Sequence, residues 1–137
     1  MTKKLLAAIP LAIGIGVLSF AARSQDADDR PASKAPPVEA LGEPVNCVTI
    51  SRIRNTVVHD DYTIDFRLTG GEIYRNTLPN RCPQLGFEER FAYEASVGEL
   101  CSIDMISVIQ SGAAGRGPRC SLGKFTPVRY LEAAAGS

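Results

Sequence analysis

An all-β domain is the fold class that this sequence predicts, a small barrel or strongly curved sandwich of five to seven short antiparallel strands held by two disulfides. Three observations predict it. Short segments of alternating apolar and polar residues recur at intervals of about ten residues. No segment carries the periodic apolar spacing of a long amphipathic helix. Four cysteines, at positions 47, 82, 101 and 120, are spread through a chain too short to be held by a large core alone.

Residues 1–24 begin with Lys3 and Lys4, continue through an uncharged apolar run over residues 5–22, and close in small residues. That is the layout of a secretory signal peptide. Cleavage after Ala21 and cleavage after Ser24 both satisfy the small-residue rule. The competing reading is an uncleaved membrane anchor, since the run touches the lower length limit for a span. Pro10, Gly14 and Gly16 weaken such a helix. The expected location is therefore the periplasm, with no stable membrane insertion after cleavage. Residues 25–45 contain Pro31, Pro36, Pro37 and Pro44 and almost no large apolar side chain. They are expected to be a disordered linker, because such a segment buries too little surface to offset its ordering entropy.

The β domain is expected over residues 46–130, with a flexible tail over 131–137. Its centre is residues 60–82. Tyr62, Ile64, Phe66 and Leu68 alternate with Thr63, Asp65, Arg67 and Thr69, which makes one face apolar and the other polar. A three-residue loop of Thr69, Gly70 and Gly71, with Gly71 left-handed, sets Phe66 opposite Tyr74 and Ile64 opposite Asn76. On the polar face the same register sets Asp65 opposite Arg75 and Thr63 opposite Thr77. Such cross-strand pairs contribute roughly 0.2–1 kcal/mol each, whereas a two-residue turn would oppose Phe66 to Arg75. Upstream, a two-residue Asp60-Asp61 turn would place Val57 opposite Ile64 and Ile53 opposite Leu68.

Downstream, Pro79 and Pro83 make residues 79–86 an irregular crossing pinned by Cys82. Residues 91–95 read as a short strand, and residues 100–109 as a central strand, apolar on both faces. Residues 111–118, with Gly112, Gly115 and Gly117, read as a hairpin loop, and residues 120–128 as the last strand, distorted at Gly123.

Four spread cysteines behind a leader imply two disulfides rather than a zinc site, because no pair has the close CxxC spacing of a structural metal centre. The expected pairing joins Cys47 with Cys120, first strand to last, and Cys82 with Cys101, crossing to central strand. Removing Lys3, Lys4 and Arg23 with the leader reduces 15 basic residues to 12 against 15 acidic ones, a net charge of −3. That balance argues against a nucleic-acid partner, whose recognition rests on many Lys and Arg contacts to phosphate.

Candidate chemistry is sparse. His59 is the only histidine and reads as a solvated turn residue. Asp60, Asp61 and Asp65 depart from calcium-loop spacing, and the stretch SGAAGRGPR lacks the ending of a phosphate loop. No metal and no cofactor are expected. Alternation places Asn76 on the apolar face between Tyr74 and Leu78. A buried amide there must be hydrogen-bonded, either bracing the 79–86 crossing or lining a small pocket with Tyr74. Tyr74 and Asn76 are accordingly the candidate ligand-contact residues.

The motifs DDxTIxF (residues 60–66), GGxxYxNxLPxxCPxL (70–85), LCxxDxI (100–106) and CxLGxF (120–125) cover nearly the whole domain. In these the chain resembles an uncharacterised family of small exported proteobacterial proteins. The resemblance implies a leader followed by one compact domain and carries over no catalytic residue, cofactor or substrate. The function expected is a non-catalytic exported domain of the cell envelope that binds an envelope protein or a small ligand, through a sheet edge or through Tyr74 and Asn76. The alternative is a small envelope hydrolase acting through two carboxylates, with Asp104 and Glu99 as the pair.

Overall fold

The computed structural model describes residues 14, 16, 30–95, 97–112 and 115–132. The expected leader lies outside the described residues except for Gly14 and Gly16, and so does the tail beyond Glu132. The chain divides after Arg30, and the fold is that of the unit Pro31–Ser137.

In chain order its strands are β1 (Val38–Ala40), β2 (Cys47–Thr49), β3 (Ile53–Val58), β4 (Thr63–Leu68), β5 (Ile73–Thr77), β6 (Phe91–Tyr93), β7 (Glu99–Cys101), β8 (Met105–Ile109), β9 (Arg116–Ser121) and β10 (Phe125–Tyr130). One helical turn, α1 (Leu85–Glu88), lies between β5 and β6. The strands form three antiparallel sheets: β1-β10-β5-β4-β3, β6-β8-β9 and the pair β2-β7. The fold is thus nearly all-β with two disulfides, as expected. The sheets are open, and no closed barrel is found among the described residues. β6 falls on the short strand expected over 91–95. More strands are present than expected because β1 and β2 have three residues each, too few to show an alternating pattern, and because two expected strands each divide in two.

β4 and β5 pair in the expected register, with Asp65 against Arg75, Phe66 against Tyr74 and Ile64 against Asn76. Leu68 N–H donates to the Glu72 carbonyl across the three-residue loop, where Gly70 and Gly71 have φ of +105° and +91°. Only glycine adopts such values without strain. β3 pairs differently from expectation: Ile53 faces Leu68, but Val58, not Val57, faces Ile64. A bulge at Arg54 supplies the extra residue, and the turn lengthens to three residues, with His59 N–H donating to the Thr63 carbonyl. One residue of slip exchanges the faces of a strand.

The core lies between the sheets. Ile64, Phe66, Leu68, Leu78 and Phe125 meet Leu85, Leu100, Ile106 and Val108, all buried. Phe66 packs edge-on against Phe125 at 5.3 Å and Phe91 at 6.2 Å between ring centroids, contacts that each add about 0.5–1.5 kcal/mol to burial.

Four expectations need correction. The segment read as one central strand over 100–109 is two, because the Asp104 carboxylate accepts from the Cys101 N–H and folds residues 102–104 into a turn. Of the two, β8 is the centre of its sheet. The last strand is also two, β9 and β10, which belong to different sheets, and β9 begins inside the expected loop. Between them Gly123 lies so close to β5 that a Cβ would meet the Thr77 carbonyl oxygen at 2.2 Å. The stretch 31–45, read as linker, is hydrogen-bonded to the sheet: β1 pairs with β10, Leu41 N–H donates to the Pro127 carbonyl, and Val45 and Phe125 exchange backbone bonds. Backbone pairing requires no apolar side chain, which is why composition does not reveal it. Finally, the disulfides are Cys47–Cys101 and Cys82–Cys120. Cys47 and Cys101 are directly opposed on β2 and β7, while Cys82 ties the irregular crossing to β9.

Candidate functional site

The outer face of the five-stranded sheet carries a buried charge. Asp65, in mid-β4, has no exposed surface. Its Oδ1 accepts from Arg75 Nε at 2.8 Å, and its Oδ2 from Arg75 Nη2 at 3.0 Å and the Tyr130 hydroxyl at 2.7 Å. His59 Nε2 lies 2.7 Å from the same Oδ2. An ionised carboxylate only accepts, so the imidazole proton of this contact sits on Nε2. Burial alone would push the Asp65 carboxyl up, but the hydrogen bonds from Arg75, Tyr130 and His59, with the Arg75 charge, outweigh it and hold the group below its ordinary pKa. Burial and the bond to Asp65 raise the Tyr130 phenol.

The arm formed by residues 31–37 closes over this network. Arg75 Nη1 donates to the Pro36 carbonyl at 2.9 Å. Ser33 Oγ and Lys34 N–H both donate to Asp60 Oδ2, at 2.8 and 3.0 Å, and Tyr62 N–H donates to Asp60 Oδ1. Burial pushes the Asp60 carboxyl up, but these donors outweigh it and lower its pKa. Of the aspartates expected to shape the turn, Asp60 does so through the Tyr62 N–H, whereas Asp61 accepts from Gly86 N–H and Arg81 Nε and ties the turn to the 81–86 crossing.

His59 is therefore no solvated turn residue. The bulge at Arg54 shifts β3 by one residue, and the shift places His59 on the Asp65 face, diagonal to it across the hairpin. The signal that finds this contact is the bulge, which has no marker in the residues around Arg54. Tyr130 was missed for a different reason: its approach to Asp65 spans 65 positions of sequence.

Two concavities flank the network. One of about 520 Å³ is lined by Lys34, His59, Asp61, Tyr62, Arg81 and Phe87, and Phe87 stands 84 % exposed at α1. The other, of about 500 Å³, is lined by Arg54, Asn55, Arg67, Ile73 and Tyr130 among others.

The residues singled out from sequence fall elsewhere. Asn76 is enclosed, its amide donating to the Gly123 carbonyl at 2.7 Å and accepting from the Gly123 N–H at 2.8 Å. It braces the β9–β10 bend rather than the 79–86 crossing, and both ends of the amide are held inside the fold. Tyr74 is half-buried against the core and lines a shallow groove with Leu41, Glu72 and Pro127. The two are thus not brought together as a ligand site. Asp104 lines a groove with Ser107, Arg116 and Arg119, and Glu99 is not part of that groove. Cys47, Glu99 and Cys101 do converge, but both sulfurs are spent in a disulfide, which leaves a metal one carboxylate.

Comparison with family models, with curated proteins and with solved structures finds no match. Two disulfides fit an oxidising, extracytoplasmic environment, and among the described residues no helix is long and apolar enough to cross a membrane.

Proposed function

We propose that this chain is a non-catalytic domain exported to the periplasm, where it binds a cell-envelope protein or a small ligand on the outer face of its five-stranded sheet. The observation that carries this reading is the state of the one histidine: His59 Nε2 is engaged on the buried Asp65, and among the described residues no hydrogen bond joins its ring to a hydroxyl or thiol. A general base needs a proton to take within hydrogen-bond reach, and among the described residues no Ser, Thr or Cys side chain is hydrogen-bonded to this ring. The cysteines are consumed in disulfides. The Asp104 carboxylate is held by the Cys101 N–H. A binding role needs only a rigid surface and an anchor, which the braced sheet and the exposed ring of Phe87 provide. The motif resemblance to small exported proteins supports the export part of this reading.

The test compares turnover with capture. Purified protein incubated with peptidoglycan and a glycan panel is expected to release no product, and a photo-reactive residue introduced at Phe87 is expected to cross-link one defined envelope component in living cells. Turnover abolished by Asp104→Asn or Glu99→Gln at an unchanged melting temperature would establish the hydrolase and overturn the binding reading.

A further inference from the structure

Six of the nine arginines in the unit Pro31–Ser137 are matched to a carboxylate: Arg52 with Glu72, Arg75 with Asp65, Arg81 with Asp61, Arg90 with Glu88, Arg116 with Glu94 and Arg129 with Glu39. The remaining three are Arg54, Arg67 and Arg119, and among the described residues none of them makes an ion pair. Two of these three line one concavity, the 500 Å³ hollow on the outer sheet face.

Their convergence has a structural cause. Arg67 belongs to the outward set of β4 by alternation, and its guanidinium lies over the Tyr130 ring, 5.9 Å from the centroid. Arg54 is the bulged residue of β3. A bulge re-aims the side chain it carries, and here it brings Arg54 to the hollow lined by its neighbour Asn55 and by Arg67. Asn55 adds an exposed amide with no hydrogen-bond partner among the described residues. The carboxylates of the neighbouring strand positions are already matched, Asp65 by Arg75 and Glu72 by Arg52, and neither makes an ion pair with Arg54 or Arg67. Tyr130 orients the Arg67 guanidinium through its ring and through a hydrogen bond to its hydroxyl, and the fork of five N–H donors keeps others for a ligand. Ile73 and Tyr130 supply apolar wall beside the charges.

We infer that this hollow is a site for a small molecule bearing one oxyanion group, carboxylate or phosphate, with Arg54 and Arg67 as the two cationic donors. Guanidinium edges match both groups through paired N–H···O bonds, and the volume is that of a small-ligand pocket. The inference deepens the binding reading by naming a ligand class and rests on it. The two fail separately, because turnover is read from released product and the site from an equilibrium titration.

The experiment titrates the isotope-labelled full-length chain with sodium phosphate and, in a second arm, sodium benzoate, at ionic strength matched with sodium chloride. The arginine Nε–Hε signals are followed by NMR. Saturable shifts are expected at Arg54 and Arg67 and not at Arg119, and the arm that saturates at the lower concentration identifies the oxyanion. Arg54→Gln and Arg67→Gln are each expected to weaken binding at least about tenfold, while Arg119→Gln leaves it unchanged. All three side chains are exposed, and unchanged β4 and β5 amide signals will show that the variants fold. No saturable shift in either arm, equal shifts at Arg119, or unaltered affinity in both Arg54→Gln and Arg67→Gln would overturn the site.

Discussion

A carboxylate without solvent exposure persists in mid-β4 because Arg75 meets both of its oxygens while Tyr130 and His59 add contacts to one of them. Since its pKa is lowered in the folded chain, folding disfavours its protonation. The resulting stability is complete above the unfolded carboxyl value of about 3.9 and is lost as pH falls through the lower folded value. Asp60 acts in the same direction. Tyr130 acts at the other limit: its pKa is raised, so its contribution holds below about 10 and is lost as pH rises through the folded value. Asp65→Asn is expected to cost about 3 kcal/mol at neutral pH, because it strips Arg75 of its buried counter-charge, and to make the acid loss shallower. Urea unfolding at neutral and acid pH measures both, and a variant whose stability falls as steeply in acid as the parent's would contradict the assignment. Gly123→Ala tests a steric claim instead. With a Cβ at 2.2 Å from the Thr77 carbonyl oxygen, β5 or the bend must move, at an expected cost of about 3 kcal/mol, read as a lowered melting temperature.

At the level of elements, local chemistry decided the β4–β5 hairpin and failed at its neighbour. Two glycines with positive φ set the loop, and alternation then leaves one register that keeps the apolar face intact. The β3–β4 turn offers no such marker, and the bulge at Arg54 absorbs a residue that alternation alone cannot see. The disulfides act between elements. Their closures span 54 and 38 positions, and restricting loops of that size in the unfolded chain stabilises by about 4 kcal/mol each in the chain-entropy account. Thiol titration of the denatured, unreduced protein is expected to find no free cysteine, and peptide mapping to recover Cys47 with Cys101 and Cys82 with Cys120. Reduction is expected to lower the melting temperature sharply. Recovery of Cys47 with Cys120 would invalidate the pairing of β2 with β7.

For the whole molecule, the leader and the location are tested together. The exported protein is expected to begin between Ala22 and Asp26 on N-terminal sequencing and to fractionate with the periplasm, whereas a chain retaining Met1 in the membrane fraction would support the anchor. The antiparallel β class, the central hairpin with its Asp65–Arg75 pair and the use of all four cysteines in disulfides were determined by the sequence alone, because alternation, glycine-bearing loops and cysteine count act over a few residues or need no partner to be known. Only the tertiary structure decided which cysteines pair, that the proline-rich arm is hydrogen-bonded to the sheet, that β9 and β10 part at Gly123, and that Asp65 is buried with His59 and Tyr130. Apart from the His59 contact, which the bulge in the adjoining strand sets, each of these depends on segments tens of residues apart meeting at a few ångströms, where backbone pairing and steric fit select the contact and neither leaves a periodic mark in the chain.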